Sequence, residues 1–267
     1  MTTILHISDT HFGTELNGPM TALLALHEQL KPELVILSGD ITQRARRGQF
    51  RTAREFMERL SPRQSLIVPG NHDVPLFNVF ERAFYPFRKY REIMSEELEP
   101  DYESPELLVI GANTTCPARL QAGEISDEQI ARVQKRLERA SPGQLRCVVT
   151  HHPMYIVTLT DRKNLLKNAE RAIHCWAEAG VDLLISGHIH LPYVRNMNGR
   201  YPEIERPLWA VQAGTATSER VRGEIPNSIN VVRYVNRADC LVERWDYSAP
   251  DNAFLEFSSV EVELAQG

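Results

Sequence analysis

The sequence predicts an α/β (α+β) fold in which helices lie outside a mixed or two-sheet β sandwich. Two observations support this prediction. Before residue 208, short apolar runs that end in polar clusters are separated by stretches of helical periodicity. After residue 208, strand-like runs are joined by turns without a convincing helix. The earlier pattern favours strands covered by helices, and the later pattern argues against a purely parallel sheet.

The earlier part of the chain contains six apolar runs that predict strands buried on both faces. They cover residues 4–8, 34–38, 66–68, 107–110, 145–150 and 181–186. Four helical stretches, 19–30, 49–60, 126–140 and 163–179, lie between these strands. The third opens with Ser126 and Gln129 at the spacing of a capping box, and the fourth is followed by Gly180, a residue that often ends helices.

The later part of the chain predicts four more strands, 208–212, 229–235, 240–247 and 254–264. We see no internal repeat or linker, so we expect a single domain over residues 1–267, with 216–267 as its mostly β C-terminal part. The stretch 76–98, rich in Phe, Tyr, Arg and Glu, has two interpretations that stay open. It is either a helical insertion over a functional site or an ordinary packing helix.

The composition is that of an ordinary soluble protein and limits the possible partners. The 267 residues carry a net charge of −5, so the chain lacks the global basic field typical of non-specific nucleic-acid binding. We therefore expect no nucleic-acid polymer as a partner. A small anionic substrate would need a local positive site, which bound metal could supply.

The cysteines and the start of the chain bear on the compartment. Four cysteines form no Cys-x-x-Cys pair, which favours reduced thiols over disulfides or a zinc knuckle. The N-terminus lacks a basic segment followed by a long apolar stretch, and no apolar run approaches the roughly 20 residues that span a bilayer. These features predict a cytoplasmic protein without a membrane partner.

Residue types that bind metal ions follow five of the predicted strands. Because ligand sites in α/β sheets lie beyond the carboxyl ends of the strands, we expect these residues to meet. The five motifs are Asp9-Thr10-His11, Gly39-Asp40, Gly70-Asn71-His72-Asp73, His151-His152-Pro153 and Gly187-His188-Ile189-His190. Each motif alone occurs by chance, whereas the ordered set of five predicts a metal centre.

The spacing within the motifs fits this interpretation. Asp9 and His11 are two residues apart, as are His188 and His190, so each pair points the same way in extended chain. Oxygen and imidazole ligands suit Mn, Fe, Zn, Co or Ni, and the absence of thiolates disfavours a structural zinc site. The glycines before Asp40, Asn71 and His188 suit sharp turns and close backbone approach.

This ordered set resembles the signature of the calcineurin-like metallophosphoesterase superfamily over about residues 4–215. The resemblance implies a four-layer sandwich of two mixed β-sheets flanked by helices, and it implies two metal ions, with Mn, Fe or Zn as candidates. By the same resemblance, one ion would be held by Asp9, His11, Asp40 and His190. The other would be held by Asp40, Asn71, His151 and His188, with Asp40 bridging.

The chemistry implied by the resemblance is hydrolysis of a phosphoester. Two ions about 3.5–4 Å apart polarise the phosphoryl group and lower the pKa of a shared water, so that a bridging hydroxide attacks phosphorus. His72 can then donate a proton to the leaving oxygen or stabilise the charge on phosphorus. Asp73 would orient His72, as carboxylates behind a catalytic histidine often do.

Two further residues are candidate substrate contacts. Arg44 follows Asp40 by four residues and could bind phosphate, although an arginine cluster is more often a solvated surface. His152 neighbours His151 but would point the other way in extended chain, which favours a pocket or supporting role. The sequence offers few other cations. This scarcity favours a phosphodiester monoanion over a monoester dianion as substrate.

Within the superfamily, the chain looks most like the bacterial group of cyclic-nucleotide phosphodiesterases and glycerophosphodiesterases. The support is its length, its opening His-Ile-Ser-Asp-Thr-His-Phe-Gly and the His-His-Pro motif. The alternatives are a nucleotide-sugar pyrophosphatase, which typically has Arg where this chain has His72, and a broad-specificity phosphatase. An alternative of another class is a non-catalytic metal-binding scaffold, which a degenerate site would favour.

Overall fold

The computed structural model describes residues 1–265 and contains two six-stranded mixed β-sheets. The first sheet has the order β12-β11-β10-β1-β2-β3, and the second has the order β4-β5-β6-β7-β9-β8. The strands of the first sheet are β1 (Thr2–Ile7), β2 (Leu34–Ser38), β3 (Ser65–Val68), β10 (Ser228–Asn236), β11 (Asp239–Ser248) and β12 (Ala253–Glu261). Those of the second are β4 (Asp101–Glu103), β5 (Leu107–Gly111), β6 (Leu145–Val149), β7 (Leu183–Ser186), β8 (Tyr193–Asn196) and β9 (Trp209–Gln212).

The strands that precede the metal-binding motifs run parallel within each sheet. In the first sheet β1 pairs in parallel with β2, and β2 with β3. In the second sheet β5, β6, β7 and β9 form a parallel series. Strand β10 pairs with β1 in the antiparallel direction, and β11 and β12 continue from it, so the late β part of the chain extends the first sheet. The carboxyl ends of β1, β2 and β3 therefore lie along one edge.

Residues 1–265 form six α-helices, and the four longest pack on the outer faces of the two sheets. The six helices are α1 (Asn17–Leu30), α2 (Arg47–Leu60), α3 (Val79–Phe84), α4 (Arg88–Ile93), α5 (Asp127–Leu137) and α6 (Ala169–Glu178). Helix α5 begins with the expected capping box, in which Ser126 Oγ accepts from the Gln129 amide and the Gln129 side chain accepts from the Ser126 amide. None of the helices in residues 1–265 is long and apolar enough to cross a membrane.

The alternation of side chains along the strands produces three apolar layers. Ile4 and Ile36 point between the sheets and pack with residues of the second sheet such as Val109. Leu5 and other outward residues of the first sheet pack against α1 and α2. The outer face of the second sheet packs in the same way against α5 and α6, around the buried Trp176. The order helix, sheet, sheet, helix confirms the predicted four-layer sandwich.

Some local predictions were wrong. The expected helix over 163–179 begins only at Ala169, because Leu159–Asn164 forms a 3₁₀ turn. The short edge strands β4 and β8 were not predicted. The stretch 76–98 contains two short helices instead of one. Helix α4 packs against the core through the buried Tyr90, whereas Leu76 lines a cleft beside the motifs.

Candidate metal centre

The five predicted motifs converge at the carboxyl ends of β1, β2, β3, β6 and β7. Five of the seven candidate ligands have left-handed backbone: Asp9 (φ 53°), His11 (φ 43°), Asp40 (φ 49°), His188 (φ 75°) and His190 (φ 53°). Non-glycine residues in this region cost about 1–3 kcal/mol each, and such residues cluster at functional sites. The fold therefore holds this group of side chains against a local conformational preference.

Two of the predicted glycines allow the loops to approach closely. A Cβ at Gly70 would lie 2.1 Å from the Asp40 backbone nitrogen, and a Cβ at Gly187 would lie 1.9 Å from Ser8 Oγ. Any larger residue would push the β3 loop away from the β2 loop, or the β7 loop away from β1. The close spacing of the candidate ligands thus depends on glycine at these positions.

The first group of candidate ligands consists of Asp9, His11 and His190, with Asp40 beside it. His190 Nε2 lies 3.1 Å from Asp9 Oδ1 and 3.2 Å from His11 Nε2. His11 Nε2 lies 3.7 Å from Asp40 Oδ2. These four side chains are the set that the family resemblance assigned to one metal ion, and they are buried or nearly so.

The second group consists of Asn71, His151 and His188, again with Asp40. His151 Nε2 lies 3.2 Å from Asp40 Oδ1 and 3.2 Å from Asn71 Oδ1. The His188 ring stands edge-on to the His151 ring, with a centroid distance of 5.1 Å. One Asp40 oxygen faces His11 and the other faces His151, so this carboxylate lies between the two groups.

The candidate ligand atoms face one another as hydrogen-bond acceptors, an arrangement that suits bound cations. His190 Nδ1 contacts the Arg220 carbonyl and must carry the proton, which leaves Nε2 as an acceptor that faces the Asp9 carboxylate. His151 Nδ1 likewise donates to the Ser38 carbonyl at 2.8 Å, so a neutral His151 presents a lone pair to Asp40 and Asn71. Acceptors that converge in this way favour a positive charge among them, which a metal ion or a proton can supply. The residues present thus fit two bound metal ions.

The pKa values of the candidate ligands are also consistent with metal binding. Burial lowers the pKa of His11 to about 3 and the pKa of His188 to about 4, so both rings are neutral, as metal ligands must be. Burial alone would also lower the pKa of His151, but the charge of Asp40 raises it to about 9. Burial alone would raise the pKa of Asp40, yet His151 and His72 hold it well below its usual range. In the absence of a cation, a proton on His151 compensates the buried carboxylate.

Asp73 has a different role from the one predicted. Its two carboxylate oxygens accept from the backbone amides of Ile41, Thr42 and Gly70 at 2.8–3.1 Å, and from Thr42 Oγ1. They are therefore not available to orient His72. Burial and the charge of Asp40 raise the pKa of Asp73 to about 6, although these amides lower it. Asp73 joins the loop after β3 to the loop after β2.

His72 is oriented by the loop after β2 instead. Its Nδ1 lies 3.0 Å from the Gln43 carbonyl oxygen, and its backbone amide donates to Asp40 Oδ1 at 2.8 Å. The ring stands edge-on to His11 at a centroid distance of 4.9 Å. His72 is partly exposed and lines the adjoining cleft, where a leaving group could reach it.

The two candidate substrate contacts differ in position. Arg44 lines a cavity of about 530 Å³ together with His72 and Leu76. His152 is fully buried, and its ring nitrogens lie 2.9 Å from Thr114 Oγ1 and 2.9 Å from the Gln121 carbonyl. Both nitrogens are thereby engaged, so the structure favours a supporting role for His152 over substrate contact.

A second cavity of about 500 Å³ adjoins the first. Both cavities are lined by Asn71, His72, Gln121 and Arg220. The sequence analysis missed Arg220, which comes from the loop between β9 and β10. It also missed the cavity cations Arg119, Lys163 and Arg222. The expectation of few additional cations near the site was therefore wrong.

The comparisons with known proteins agree on one family. The sequence model of the calcineurin-like phosphoesterase family matches residues 2–192. A protein of Synechococcus named as a probable cyclic nucleotide phosphodiesterase is 26% identical over 206 residues, which cover 72% of this chain and 74% of that protein. A protein of Arcobacter nitrofigilis named as a probable glycerophosphodiester phosphodiesterase is 25% identical over 162 residues, which cover 60% of this chain and 57% of that protein.

Among solved structures, the fold is similar to that of a purple acid phosphatase from yellow lupin seeds. The TM-score is 0.71 and the sequence identity is 12%. The match covers 98% of this chain but only 53% of the lupin protein, so this chain spans about half of that protein's length. At this identity the likeness supports the fold alone.

Proposed function

The chain belongs to the calcineurin-like phosphoesterase family, and on that premise we propose that it is a dinuclear phosphodiesterase for a small substrate. Membership makes it a metal-dependent phosphoric ester hydrolase. The proposed substrates are diesters such as 3′,5′-cyclic nucleotides or glycerophosphodiesters, the classes that appear in the names of the Synechococcus and Arcobacter relatives.

The observation that carries the diester proposal is the pair of cavities beside the metal centre. They share Asn71, His72, Gln121 and Arg220, and their volumes of about 530 and 500 Å³ suit small-molecule substituents. A phosphorus atom at this junction would have room for one ester group on each side. A monoester would fill only one cavity, so the shape favours a substrate with two ester arms.

We assign the ligands as the two groups described above. Asp9, His11 and His190 would hold one ion, and Asn71, His151 and His188 would hold the other, with Asp40 shared. When bound, two such ions polarise the phosphoryl oxygens and lower the pKa of a water molecule enough for it to attack phosphorus. Their charge also exceeds that of the two carboxylates, so the centre attracts a phosphate anion.

The protein's own part in the reaction is to position the substrate and to protonate the leaving group. His72 lies at the junction of the cavities, held by the Gln43 carbonyl, where it can deliver a proton to an alkoxide leaving oxygen. Alkoxides are poor leaving groups, so a diester gains more from this proton than an activated ester does. Asp73 keeps the loops that carry Asp40 and His72 together.

The test compares matched diester and monoester substrates. We expect kcat/KM with Mn²⁺ to be higher for bis(p-nitrophenyl) phosphate than for p-nitrophenyl phosphate, since this ratio measures discrimination. A panel of cyclic nucleotides, glycerophosphodiesters and nucleotide sugars would then identify the natural substrate. A clear preference for the monoester would remove the diester proposal and leave a broad-specificity phosphatase.

A further inference from the structure

Three cavity cations, Arg44, Lys163 and Arg220, have no ion pair among the described residues, and only Arg220 of the three lines both cavities. Among the described residues, Arg222 pairs with Asp161 and Arg119 pairs with Glu124, whereas Arg220 lies within 4.0 Å of no acidic side chain. It comes from a loop that carries none of the five motifs, yet it lines both cavities. A cation left unpaired at a shared cavity wall is available to an anion.

The guanidinium of Arg220 is held in place by two neutral acceptors. Its Nη1 lies 3.2 Å from His72 Nε2 and donates to Gln43 Oε1 at 3.0 Å. Before substrate binds, a His72 ring with its proton on Nδ1, facing the Gln43 carbonyl, can accept from Arg220 at Nε2. This contact must open when Nε2 carries the proton that goes to the leaving oxygen. In residues 1–265, Nε and Nη2 of Arg220 have no hydrogen-bond partner, so these donors remain free.

The same residue is tied to the metal centre through its main chain. The carbonyl of Arg220 accepts from His190 Nδ1, and one ring nitrogen of His72 lies within 4.8 Å of candidate ligand atoms of His11 and Asp40. Through His72, the Arg220 guanidinium is therefore one side chain away from two candidate ligands of the metal centre. Arg44 lines the first cavity too, but its guanidinium makes only a 3.5 Å contact with the Gln43 carbonyl.

We propose that Arg220 is a further substrate-contacting residue, whose free guanidinium donors bind a non-bridging oxygen of the scissile phosphate opposite the metal ions. His72 and Gln43 fix the side chain before substrate arrives, so little conformational freedom is lost on binding. The proposal rests on the proposed phosphoester chemistry but does not depend on which ester is hydrolysed. It predicts that Arg220 contributes more to phosphate binding than the loosely held Arg44.

The test measures binding of inorganic phosphate to Mn²⁺-loaded protein by isothermal titration calorimetry. Arg220→Ala should weaken binding about 10- to 100-fold, the usual effect of a lost charge-assisted hydrogen bond. Arg220→Lys should recover part of the affinity. Arg119→Ala is the matched control, since this arginine lines the same cavity but is paired with Glu124, and it should change affinity less than about threefold.

Metal content is measured on every variant by elemental analysis. It should not change, because each variant keeps the Arg220 main-chain carbonyl that holds His190. Phosphate affinity of Arg220→Ala within about threefold of the parent would overturn the proposal. Metal loss in both Arg220 variants would also overturn it and assign the side chain a structural role. These outcomes do not depend on turnover, so failure of the Arg220 proposal can be distinguished from failure of the diester proposal.

Discussion

Replacing Asp40 by Asn tests the bridging carboxylate without changing its shape. Asp40 is 2% exposed, and its oxygens face His151 on one side and His11 on the other. Burial lowers the pKa of His151, yet the charge of Asp40 raises it from 6.5 to about 9. That net rise corresponds to about 3 kcal/mol, at about 1.4 kcal/mol per pKa unit. A divalent ion bound at the same place should lose at least this much binding free energy when the Asp40 charge is removed.

We therefore expect Asp40→Asn to weaken Mn²⁺ binding by roughly 100-fold or more, since about 1.4 kcal/mol corresponds to a tenfold change in affinity. The assay is calorimetric titration of the metal-free protein with Mn²⁺, followed by elemental analysis after dialysis. Asp161→Asn is the matched control, because this carboxylate lines the second cavity but pairs with Arg222. Retention of two tightly bound ions in Asp40→Asn would refute the bridging assignment.

Three further outcomes are expected. His72→Ala should keep its metal ions and lower kcat by about 10²–10⁴-fold for alkyl leaving groups, but by less for p-nitrophenolate. Loss of metal in this variant would contradict the proposed role of His72. The apparent Mn²⁺ affinity should rise about tenfold per pH unit between pH 7 and 9, because the metal must displace the proton on His151, whose pKa is raised to about 9. An Mn²⁺ affinity that does not change with pH in calorimetric titrations would contradict this. Asp73→Ala should lower the free energy of unfolding by about 3 kcal/mol or more in urea titrations, because three buried amides lose their acceptor. A decrease below about 1 kcal/mol would contradict the role of Asp73 in joining the two loops.

The sequence was sufficient to locate the candidate ligands because each one lies in a short motif directly after a predicted strand. Parallel strands bring their carboxyl ends to one edge of a sheet, so Asp9 and Asp40 could be placed together without coordinates. His188 follows a strand of the second sheet, so its place beside them followed from the family resemblance. The four-layer sandwich followed from the family resemblance and is confirmed by the two sheets and their helices. The single-domain organisation and the ligand roles stay predictions.

The parts that could not be predicted depend on contacts between distant segments. Arg220 is 148 residues from His72 in the sequence, and no spacing rule connects them. Asp73 follows His72 directly, which suggested a contact with its ring, but its oxygens bond to amides across two loops. Gln43 lies next to Arg44, and its contact with His72 is made by a backbone carbonyl that any residue type would present. A 3₁₀ turn replaced the first part of the helix predicted over 163–179.

Titration of the metal-free protein with Mn²⁺, monitored at each step by hydrolysis of bis(p-nitrophenyl) phosphate, tests the dinuclear mechanism most directly. Two groups of candidate ligands have Asp40 between them, and a nucleophilic water would require the ions that they are proposed to hold. We predict no turnover after chelation and full turnover once two equivalents of Mn²⁺ are bound. Renewed chelation should remove both the bound Mn²⁺ and the turnover. Full activity in protein shown by elemental analysis to contain no metal would contradict the account.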